Sequence, residues 1–279
     1  IHFDDYFYNG VSDNEDYSTY HKPGYNPRGL SKADWRREQV NILIEGIHDL
    51  IESYNLMNNK RIQFGISPAG MWAPGTEVCS EQGLPGGHTG SSRQFPCWGY
   101  YSYHDLYADS RKWVLEEWID YILPQNYFEL GRYHEDISAW WAKQVKGTKV
   151  KLYMGLASYR LGESNFDSEE INRELRYNAQ FPEVSGIVLF SYKSIARPAN
   201  AAMISAAKTL KTYWTRNSLL PHFYLVDTTD YRVPEMTLKR TQDLIEITIG
   251  SDDIASGYAV YRFNKGEEFV FDDLHLFDI

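Results

Sequence analysis

The sequence predicts an α/β fold, namely a (β/α)8 TIM barrel followed by a partial β-sandwich, and two observations lead to this prediction. Five short runs rich in β-branched and aromatic residues recur along the chain, and a helical pattern follows each of them. The segments after the runs are long, whereas those before the runs are short. This asymmetry is typical of a barrel whose active site lies at the carboxyl ends of its strands.

Each predicted strand is a short apolar run, and the strands cover residues 1–7, 61–67, 119–125, 149–157 and 186–192. The clearest helix is predicted over residues 31–55, because Ser31 and Asp34 form a capping signal and apolar residues then recur with helical spacing. The other helical patterns are shorter, and they lie near 103–117, 133–145, 168–180 and 198–216. Strands that alternate with helices indicate a parallel sheet.

The connecting segments favour a barrel over an open sheet. Residues 8–30 and 68–102, which follow the first two predicted strands, are long and rich in Gly, Pro, Tyr and Asp. A closed barrel needs eight strand–helix units, and this chain carries five. We therefore expect the first three units to precede Ile1 in a longer precursor, as the missing initial Met also suggests. An open doubly wound sheet is the alternative.

The pattern changes near Ser218, where helices give way to short alternating strands such as 244–249 and 258–263. Residues 1–217 are therefore predicted to form the barrel domain, and residues 218–279 a separate β domain. Too few strands follow Ser218 to build a complete sandwich, so this second domain is expected to be partial.

Composition and charge exclude several classes of function. The formal net charge of −10 argues against a nucleic-acid partner, because proteins that bind phosphate backbones carry basic patches. No run of 18 apolar residues occurs, so no membrane-spanning helix is expected. The 22 Tyr, 13 Phe and 8 Trp residues favour a carbohydrate partner, since aromatic planes stack on the apolar faces of sugar rings, although many of these side chains fill the core.

Cys79 and Cys97 both fall in the long segment after the second predicted strand. Either they form a disulfide that constrains this segment, which would imply an oxidising compartment, or they are separate thiols. The chain has no C-x-x-C spacing, and neither a metal ion nor an organic cofactor is predicted.

The run HFDDYFY, residues 2–8, places two acidic residues at the carboxyl end of the first predicted strand. Side chains alternate along a strand, so His2 and Asp4 share one face, Asp5 takes the other, and Asp4 is expected to point inward. Glycoside hydrolysis needs a carboxylic acid to protonate the leaving oxygen and a second carboxylate as base or nucleophile. Asp4 and Asp5 are therefore the candidate catalytic residues, although the outward one can instead bind backbone amides of the next turn.

Strand ends and the loops after them supply most of the candidate substrate contacts, because amide, phenol and indole groups there can orient sugar hydroxyls or stack on sugar rings. The predicted substrate-binding residues are His2, Tyr6, Trp72, Asp109, Gln125, Asn126, Tyr127 and Tyr159. The alternative for Trp72 is a place in the core, and for Asp109 a structural ion pair with a neighbouring basic residue. Glu163 is either a partner carboxylate or a solvated loop residue.

Six motifs occur in the order seen in one known family: HFDDYFY (2–8), WRREQVN (35–41), FGISPAGMW (64–72), DLYADSRKW (105–113), IDYILPQNY (119–127) and GIVLFSY (186–192). Through them the chain resembles the glycosyl-hydrolase-like 10 family over most of residues 1–217. The resemblance implies a (β/α)8 barrel related to the glycosidase superfamily, in which HFDDYFY closes the fourth strand. The tail YAVYRF (258–263) resembles a fibronectin type III-like domain.

The leading hypothesis is an O-glycosyl hydrolase that acts on a polysaccharide, and the resemblance extends the candidate substrates to the glycan strands of peptidoglycan. The alternatives are a non-catalytic carbohydrate-binding protein of the cell surface and a lytic transglycosylase-like enzyme, which needs a single acid. The resemblance also implies an exported bacterial protein, either periplasmic, extracellular or an outer-membrane lipoprotein. Any membrane attachment is then expected through a lipid anchor outside this chain.

Overall fold

The computed structural model describes residues 1–4, 7–75, 79, 90–215, 218, 235–242, 244–250, 259–269 and 276–278. The chain divides into two compact units, Ile1–Leu210 and Lys211–Ile279. The first unit contains the parallel sheet and the helices that pack on it. The second contains small antiparallel sheets.

The first unit is built on a five-stranded parallel sheet, formed by β1 (His2–Asp4), β2 (Gly65–Ser67), β3 (Tyr121–Ile122), β4 (Lys151–Leu156) and β5 (Val184–Leu189). Each strand pairs with the next one in the chain, so the sheet winds in a single direction. A doubly wound sheet reverses its strand order at a switch point, and the described strands show no such reversal. The predicted α/β fold is confirmed, and this strand order is consistent with part of a TIM barrel.

The strands are shorter than the sequence predicts, and two prolines explain part of the difference. Pro68 and Pro124 have no amide hydrogen, so the regular ladder stops before each of them. Parallel pairing resumes beyond the prolines as isolated bridges, in which Gln125 pairs with Ala69 on one side and with Gly155 on the other. The backbone around Gln125 is therefore fixed at the carboxyl end of the sheet.

The helices of this unit are α1 (Tyr17–Tyr20), α2 (Lys32–Asn58), α3 (Ser102–Asp105), α4 (Ser110–Leu115), α5 (His134–Val145), α6 (Glu170–Asn178) and α7 (Tyr192–Ala196), with a 3-10 turn at Ser158–Arg160. A further helix, α8, covers Ala201–Tyr213. Helix α2 begins where the sequence predicts, because the Ser31 side chain accepts a hydrogen bond from the Asp34 amide at 3.2 Å.

The single helix predicted near 103–117 is wrong, because two short helices stand there. The chain leaves the helical conformation at Tyr107, whose φ is 51°. Helix α4 then starts anew at Asp109, whose side chain accepts the Lys112 amide at 3.2 Å as an N-cap. The apolar spacing across this stretch is helical in both halves, and for this reason the periodicity alone did not reveal the break.

The hydrophobic core joins the sheet to its helices. Fully buried strand residues such as Ile66 pack with large aromatic side chains from the helices, and each buried indole has a hydrogen-bond acceptor. The Trp113 indole donates to the Asn41 side chain at 2.7 Å, and the Trp141 indole donates to the Gly70 carbonyl at 2.7 Å. These two bonds tie α4 to α2 and α5 to the segment after β2.

The described part of the second unit holds two antiparallel pairs, β6 (Met236–Arg240) with β7 (Ile245–Ile249) and β8 (Val260–Tyr261) with β9 (Leu276–Asp278). Strand β7 matches the strand predicted at 244–249, and β8 lies within the predicted 258–263. Among the helices that the structure describes, none combines the length and the apolar character needed to cross a membrane.

Candidate functional site

A cavity of about 500 Å³ opens at the carboxyl ends of the five parallel strands. Every strand, or the segment directly after it, contributes at least one lining residue. The lining residues are His2, Asp4, Ser67, Leu123, Gln125, Tyr127, Gly155, Tyr159, Val188 and Phe190. The cavity therefore lies where the active sites of parallel barrels are built.

Strand alternation decides which part of the HFDDYFY run faces this cavity. Phe3 points to the opposite face and packs edge-on against Phe64, with ring centroids 5.3 Å apart. His2 and Asp4 consequently share the cavity face of β1. Asp5 and Tyr6 lie outside the described residues.

The Asp4 carboxylate is held by donors from the next two strands. Its Oδ1 atom accepts a hydrogen bond from the Ser67 hydroxyl at 3.0 Å and another from the Gln125 amide nitrogen at 3.0 Å. The same Gln125 nitrogen also donates to the Ser67 carbonyl at 3.0 Å. These bonds connect β1, β2 and the end of β3, so the carboxylate has a fixed orientation at the cavity wall.

A hydrogen-bond chain continues from Ser67 to His2 and Tyr121. His2 Nε2 lies 3.0 Å from the Ser67 hydroxyl oxygen, and the Tyr121 hydroxyl lies 3.3 Å from His2 Nδ1. Because the Ser67 hydroxyl gives its proton to Asp4, His2 must donate to Ser67 through Nε2–H and accept from Tyr121 at Nδ1. The network thus assigns His2 the neutral Nε2–H tautomer.

The electrostatics of His2 agree with this assignment. Partial burial lowers the pKa of His2 below its usual value of 6.5, and the nearby Asp4 charge only partly opposes the effect. The Tyr121 ring stacks parallel to the imidazole, with an interplanar angle of 6° and centroids 5.9 Å apart. His2 is therefore largely neutral at pH 7 and able to keep both hydrogen bonds.

Two glycines make room for the aromatic side chains beneath the cavity. A Cβ atom at Gly65 would lie 2.1 Å from the Tyr121 ring, and one at Gly186 would lie 3.1 Å from the Tyr153 ring. Each glycine sits on the strand next to its tyrosine, on the same side of the sheet. Burial raises the pKa of both tyrosines, so their hydroxyls stay protonated and able to donate at neutral pH.

The other side of the cavity is aromatic. Tyr127 stacks on Phe190, with centroids 6.0 Å apart and an interplanar angle of 22°, and Tyr159 meets both rings edge-on at 5.9 Å. Phe190 is 55% exposed, so a large part of its ring remains accessible to a ligand. The guanidinium of Arg160 donates to the Tyr127 carbonyl at 2.7 Å and fixes the backbone beneath this cluster.

Trp72 and Asp109, both predicted to contact substrate, instead lie in the core. Trp72 is 3% exposed and stacks on Trp140, with centroids 5.9 Å apart. Its indole nitrogen donates to Asp109 at 3.1 Å, and Asp109 also caps α4. Burial raises the pKa of Asp109, against the effect of these donors. Trp72 fits its alternative of a place in the core, whereas Asp109 has a structural role as a helix cap and indole acceptor, which differs from the ion pair considered above; neither side chain lines the cavity.

Asn126 also points away from the cavity, contrary to the prediction that it contacts substrate. Its side chain is fully buried, and its amide nitrogen donates to the His134 carbonyl at 2.9 Å and to the Ser138 hydroxyl at 3.0 Å. The reason is the same alternation that orients Asp4, since Gln125 and Tyr127 occupy the cavity face on either side of it. Asn126 therefore anchors α5 to the strand end.

A buried acid behind the strand ends is separate from the cavity. Burial raises the pKa of Glu174 to about 9 and lowers the pKa of His134 to about 4. The two side chains approach to 3.7 Å, but His134 Nδ1 bonds to the Phe128 carbonyl at 3.0 Å. Both groups are therefore neutral at pH 7, and neither lines the cavity.

Among the described lining residues, Asp4 is the only carboxylate. Glu163, a candidate partner, pairs with Arg160 at 2.8 Å on a half-exposed loop and does not line the cavity. Within the same part of the chain, no group of three or more His, Cys, Asp or Glu side chains is placed to hold a metal ion. Cys79 and Cys97 form a disulfide, with Cα atoms 5.1 Å apart.

Sequence reasoning missed Ser67, Tyr121 and Phe190 as parts of this region. A signal existed for Ser67, because it ends a strand directly before a proline. Phe190 stands one residue before the polar segment that ends the last strand, and the two-residue alternation from Val188 would have placed it on the cavity face. Tyr121 is recognisable only once the register brings it beside His2.

Comparisons with known proteins show which family the chain is similar to. The chain matches the model of the family described as Glycosyl hydrolase-like 10 over residues 1–171. It is 32% identical over 258 residues to glycosyl hydrolase YngK of Bacillus subtilis (strain 168), which covers 87% of this chain and 46% of that protein. It is 33% identical over 222 residues to glycosyl hydrolase DigH of Escherichia coli (strain K12), with 74% and 46% covered. The chain thus spans less than half the length of these curated relatives.

Proposed function

Because the chain belongs to the glycosyl hydrolase-like 10 family, we propose that it hydrolyses O-glycosidic bonds of a polysaccharide and that Asp4 is a catalytic carboxylate. The observation that carries the proposal is the placement of Asp4, which is fixed by two donors on the wall of a cavity whose opposite side is aromatic. A glycosidase needs both features, since a carboxylate acts on the anomeric centre while aromatic rings hold the sugar.

The geometry supports a specific role for Asp4. Its Oδ1 atom accepts two hydrogen bonds, so this oxygen acts as an acceptor and not as a proton donor. We assign Asp4 the part of the base or nucleophile. The proton for the leaving oxygen then comes from a second carboxyl group, and our candidate for it is Asp5, which follows the last residue of β1 and is therefore not bound by the alternation of that strand.

The fold proposal follows the same order of strands. The five parallel strands are the fourth to eighth of a (β/α)8 barrel, with the cavity at its carboxyl end. Support comes from the single winding direction and from Tyr121 and Tyr153, whose rings occupy the space beside Gly65 and Gly186 on the neighbouring strands. We propose that the second unit is a fibronectin type III-like domain. Its antiparallel strand pairs support this proposal, and they are a feature that such domains share with other β-sandwiches.

The substrate proposal is a glycan chain, with peptidoglycan glycan strands as the first candidate. The lining mixes flat aromatic faces with hydroxyl and amide groups, as pyranose rings with several hydroxyls require. Export from the cytoplasm is proposed with it, and the Cys79–Cys97 disulfide supports this location because disulfides persist in oxidising compartments.

The test uses the full-length protein with purified peptidoglycan glycan strands and a panel of plant and host glycans. The wild type is expected to release fragments with ordinary reducing ends, detected by mass spectrometry, whereas Asp4→Asn should not. Asn keeps an oxygen that accepts the bonds from Ser67 and Gln125, so the variant removes the charge and preserves the packing. Asp49→Asn, an exposed site on α2, is the matched control.

Two outcomes would change the proposal. If Asp4→Asn and Asp5→Asn each leave cleavage unchanged, the chemistry does not take place at this cavity. If the products carry anhydro ends, the enzyme is a lytic transglycosylase-like protein. The single carboxylate among the described lining residues is the observation that favours this second candidate.

A further inference from the structure

A second cavity, of about 240 Å³, adjoins the first one. Gln125 and Tyr127 line both cavities. The far wall of the second cavity comes from the segment Pro96–Tyr100, which is part of the long connection after β2. The described part of the site therefore extends sideways, from the Asp4 cavity toward this segment.

The segment presents Trp98 at the surface. The indole is 62% exposed, and its ring is supported by Tyr133, which it meets edge-on at 6.1 Å. The Arg132 guanidinium lies 6.0 Å from the ring centroid. A single exposed aromatic is ordinary on a protein surface, but this one stands beside a cavity that continues into the candidate active site.

Several contacts hold the segment rigidly from behind. Phe95 is fully buried, and its carbonyl accepts the Gly75 amide at 2.9 Å. The buried Tyr101 hydroxyl contacts the carbonyl oxygens of both Pro96 and Trp98. The Cys79–Cys97 disulfide closes the segment one residue before Trp98. These contacts fix the backbone that carries Trp98, and a fixed backbone lowers the entropy lost when a ligand binds.

We propose that Trp98 is the stacking platform of a second sugar subsite, which binds a pyranose ring of the same glycan chain whose neighbouring part occupies the Asp4 cavity. The proposal rests on the proposed function for the identity of the ligand. The flat indole faces the apolar side of the ring, and Gln125 and Tyr127 supply hydrogen bonds between the two subsites. The consequence is a requirement for chain length, because only a chain long enough to span both cavities gains the Trp98 contact.

The test measures binding of N-acetylglucosamine oligomers of two to six units by calorimetry, in the full-length protein carrying Asp4→Asn to limit cleavage. Affinity is expected to increase with length until both cavities are occupied. Adding Trp98→Ala should weaken binding of the hexamer about tenfold and leave binding of the dimer unchanged. Trp98→Phe should retain part of the length dependence, and Tyr54→Ala, an exposed aromatic near the end of α2, should retain all of it.

The disulfide provides a second, independent variant. Cys79→Ser with Cys97→Ser is expected to weaken hexamer binding toward the Trp98→Ala value, while dimer binding changes little when both are measured well below the unfolding temperature of the variant. The proposal is overturned if wild-type affinity does not increase between dimer and hexamer, or if Trp98→Ala affects every length equally. If the protein hydrolyses the glycan but Trp98→Ala has no effect on binding, only the subsite proposal is overturned. If binding depends on chain length but no hydrolysis is detected, only the proposed enzymatic activity is overturned.

Discussion

The two sides of the Asp4 cavity are built from different interactions. On one side Asp4, Ser67, His2 and Tyr121 form a chain of hydrogen bonds across three strands. On the other side the side chains of Tyr127, Tyr159 and Phe190 meet through their rings, and a backbone hydrogen bond of 3.1 Å from the Tyr159 amide to the Phe190 carbonyl supports them. Hydrogen bonds are directional and fix atoms, whereas ring contacts tolerate small shifts of a ligand. Under the proposed function, this difference predicts that the reaction depends on the polar side and substrate affinity on the aromatic side.

The sharpest test of this division is Asp4→Asn, for which we expect the largest effect. Loss of a positioned base or nucleophile should lower kcat by about 10²–10⁴-fold, with KM changed less than about twofold. Steady-state kinetics on soluble glycan fragments measures both constants. A large rise in KM with unchanged kcat would show that Asp4 contributes to substrate binding and not to the reaction, and the proposed difference between the two sides would be wrong.

Gln125→Leu is expected to have the next largest effect. The substitution removes the amide that donates to both Asp4 and the Ser67 carbonyl, so the Asp4 carboxylate loses one of the two donors that orient its Oδ1 atom. A hydrogen bond to a charged group contributes about 1.5–3 kcal/mol, so kcat should fall about 10–100-fold. Leu123→Ala tests whether simple loss of packing in the lining gives the same result, in which case the orientation argument is wrong.

Phe190→Ala addresses the aromatic side. Loss of the exposed ring should raise KM about tenfold and leave kcat within about twofold, because the hydrogen-bonded side is untouched. Tyr192→Ala, two residues later and 82% exposed, is the matched control because that ring does not line the cavity. A fall in kcat for Phe190→Ala at constant KM would show that the aromatic side also positions the reacting bond.

The smallest expected effect is in the pH profile. Below pH 6.5 His2 becomes increasingly protonated, and because burial lowers its pKa the acid limb of kcat should lie below the usual histidine value. Protonation turns Nδ1 from an acceptor into a donor, so the hydrogen bond with Tyr121 reverses and the phenol oxygen accepts. Tyr121→Phe removes this partner from both forms, and because the bond to the charged imidazolium is the stronger one, the limb should move to lower pH. An unchanged profile would exclude His2 from the active network.

The sequence predicted the features that follow from the spacing of residues along a strand and from the order of strands and helices along the chain. Two-residue alternation placed His2 and Asp4 together, and the repeated strand–helix pattern gave the parallel sheet. The same rule, applied to 125–127, separates Asn126 from its neighbours and places it on the face opposite the cavity.

Other features depend on how distant segments meet. The burial of Trp72 requires Trp140 to pack against it from α5, and the helix break at Tyr107 occurs without a glycine or proline at that residue. The neighbours of Tyr121 are set by register, which the local sequence does not encode. These contacts join residues far apart in the chain, so no local sequence pattern predicts them.

Gly65 never touches the cavity, yet its missing side chain leaves the space that the Tyr121 ring occupies. An alanine scan of this protein would therefore report Gly65 as essential for activity, by displacing Tyr121 and, through it, His2. Gly65 and Tyr121 share one space, so a larger residue at one position requires a smaller residue at the other. Across relatives, a larger residue at the glycine is expected only where the tyrosine has become small, and that covariation can be read from sequences alone.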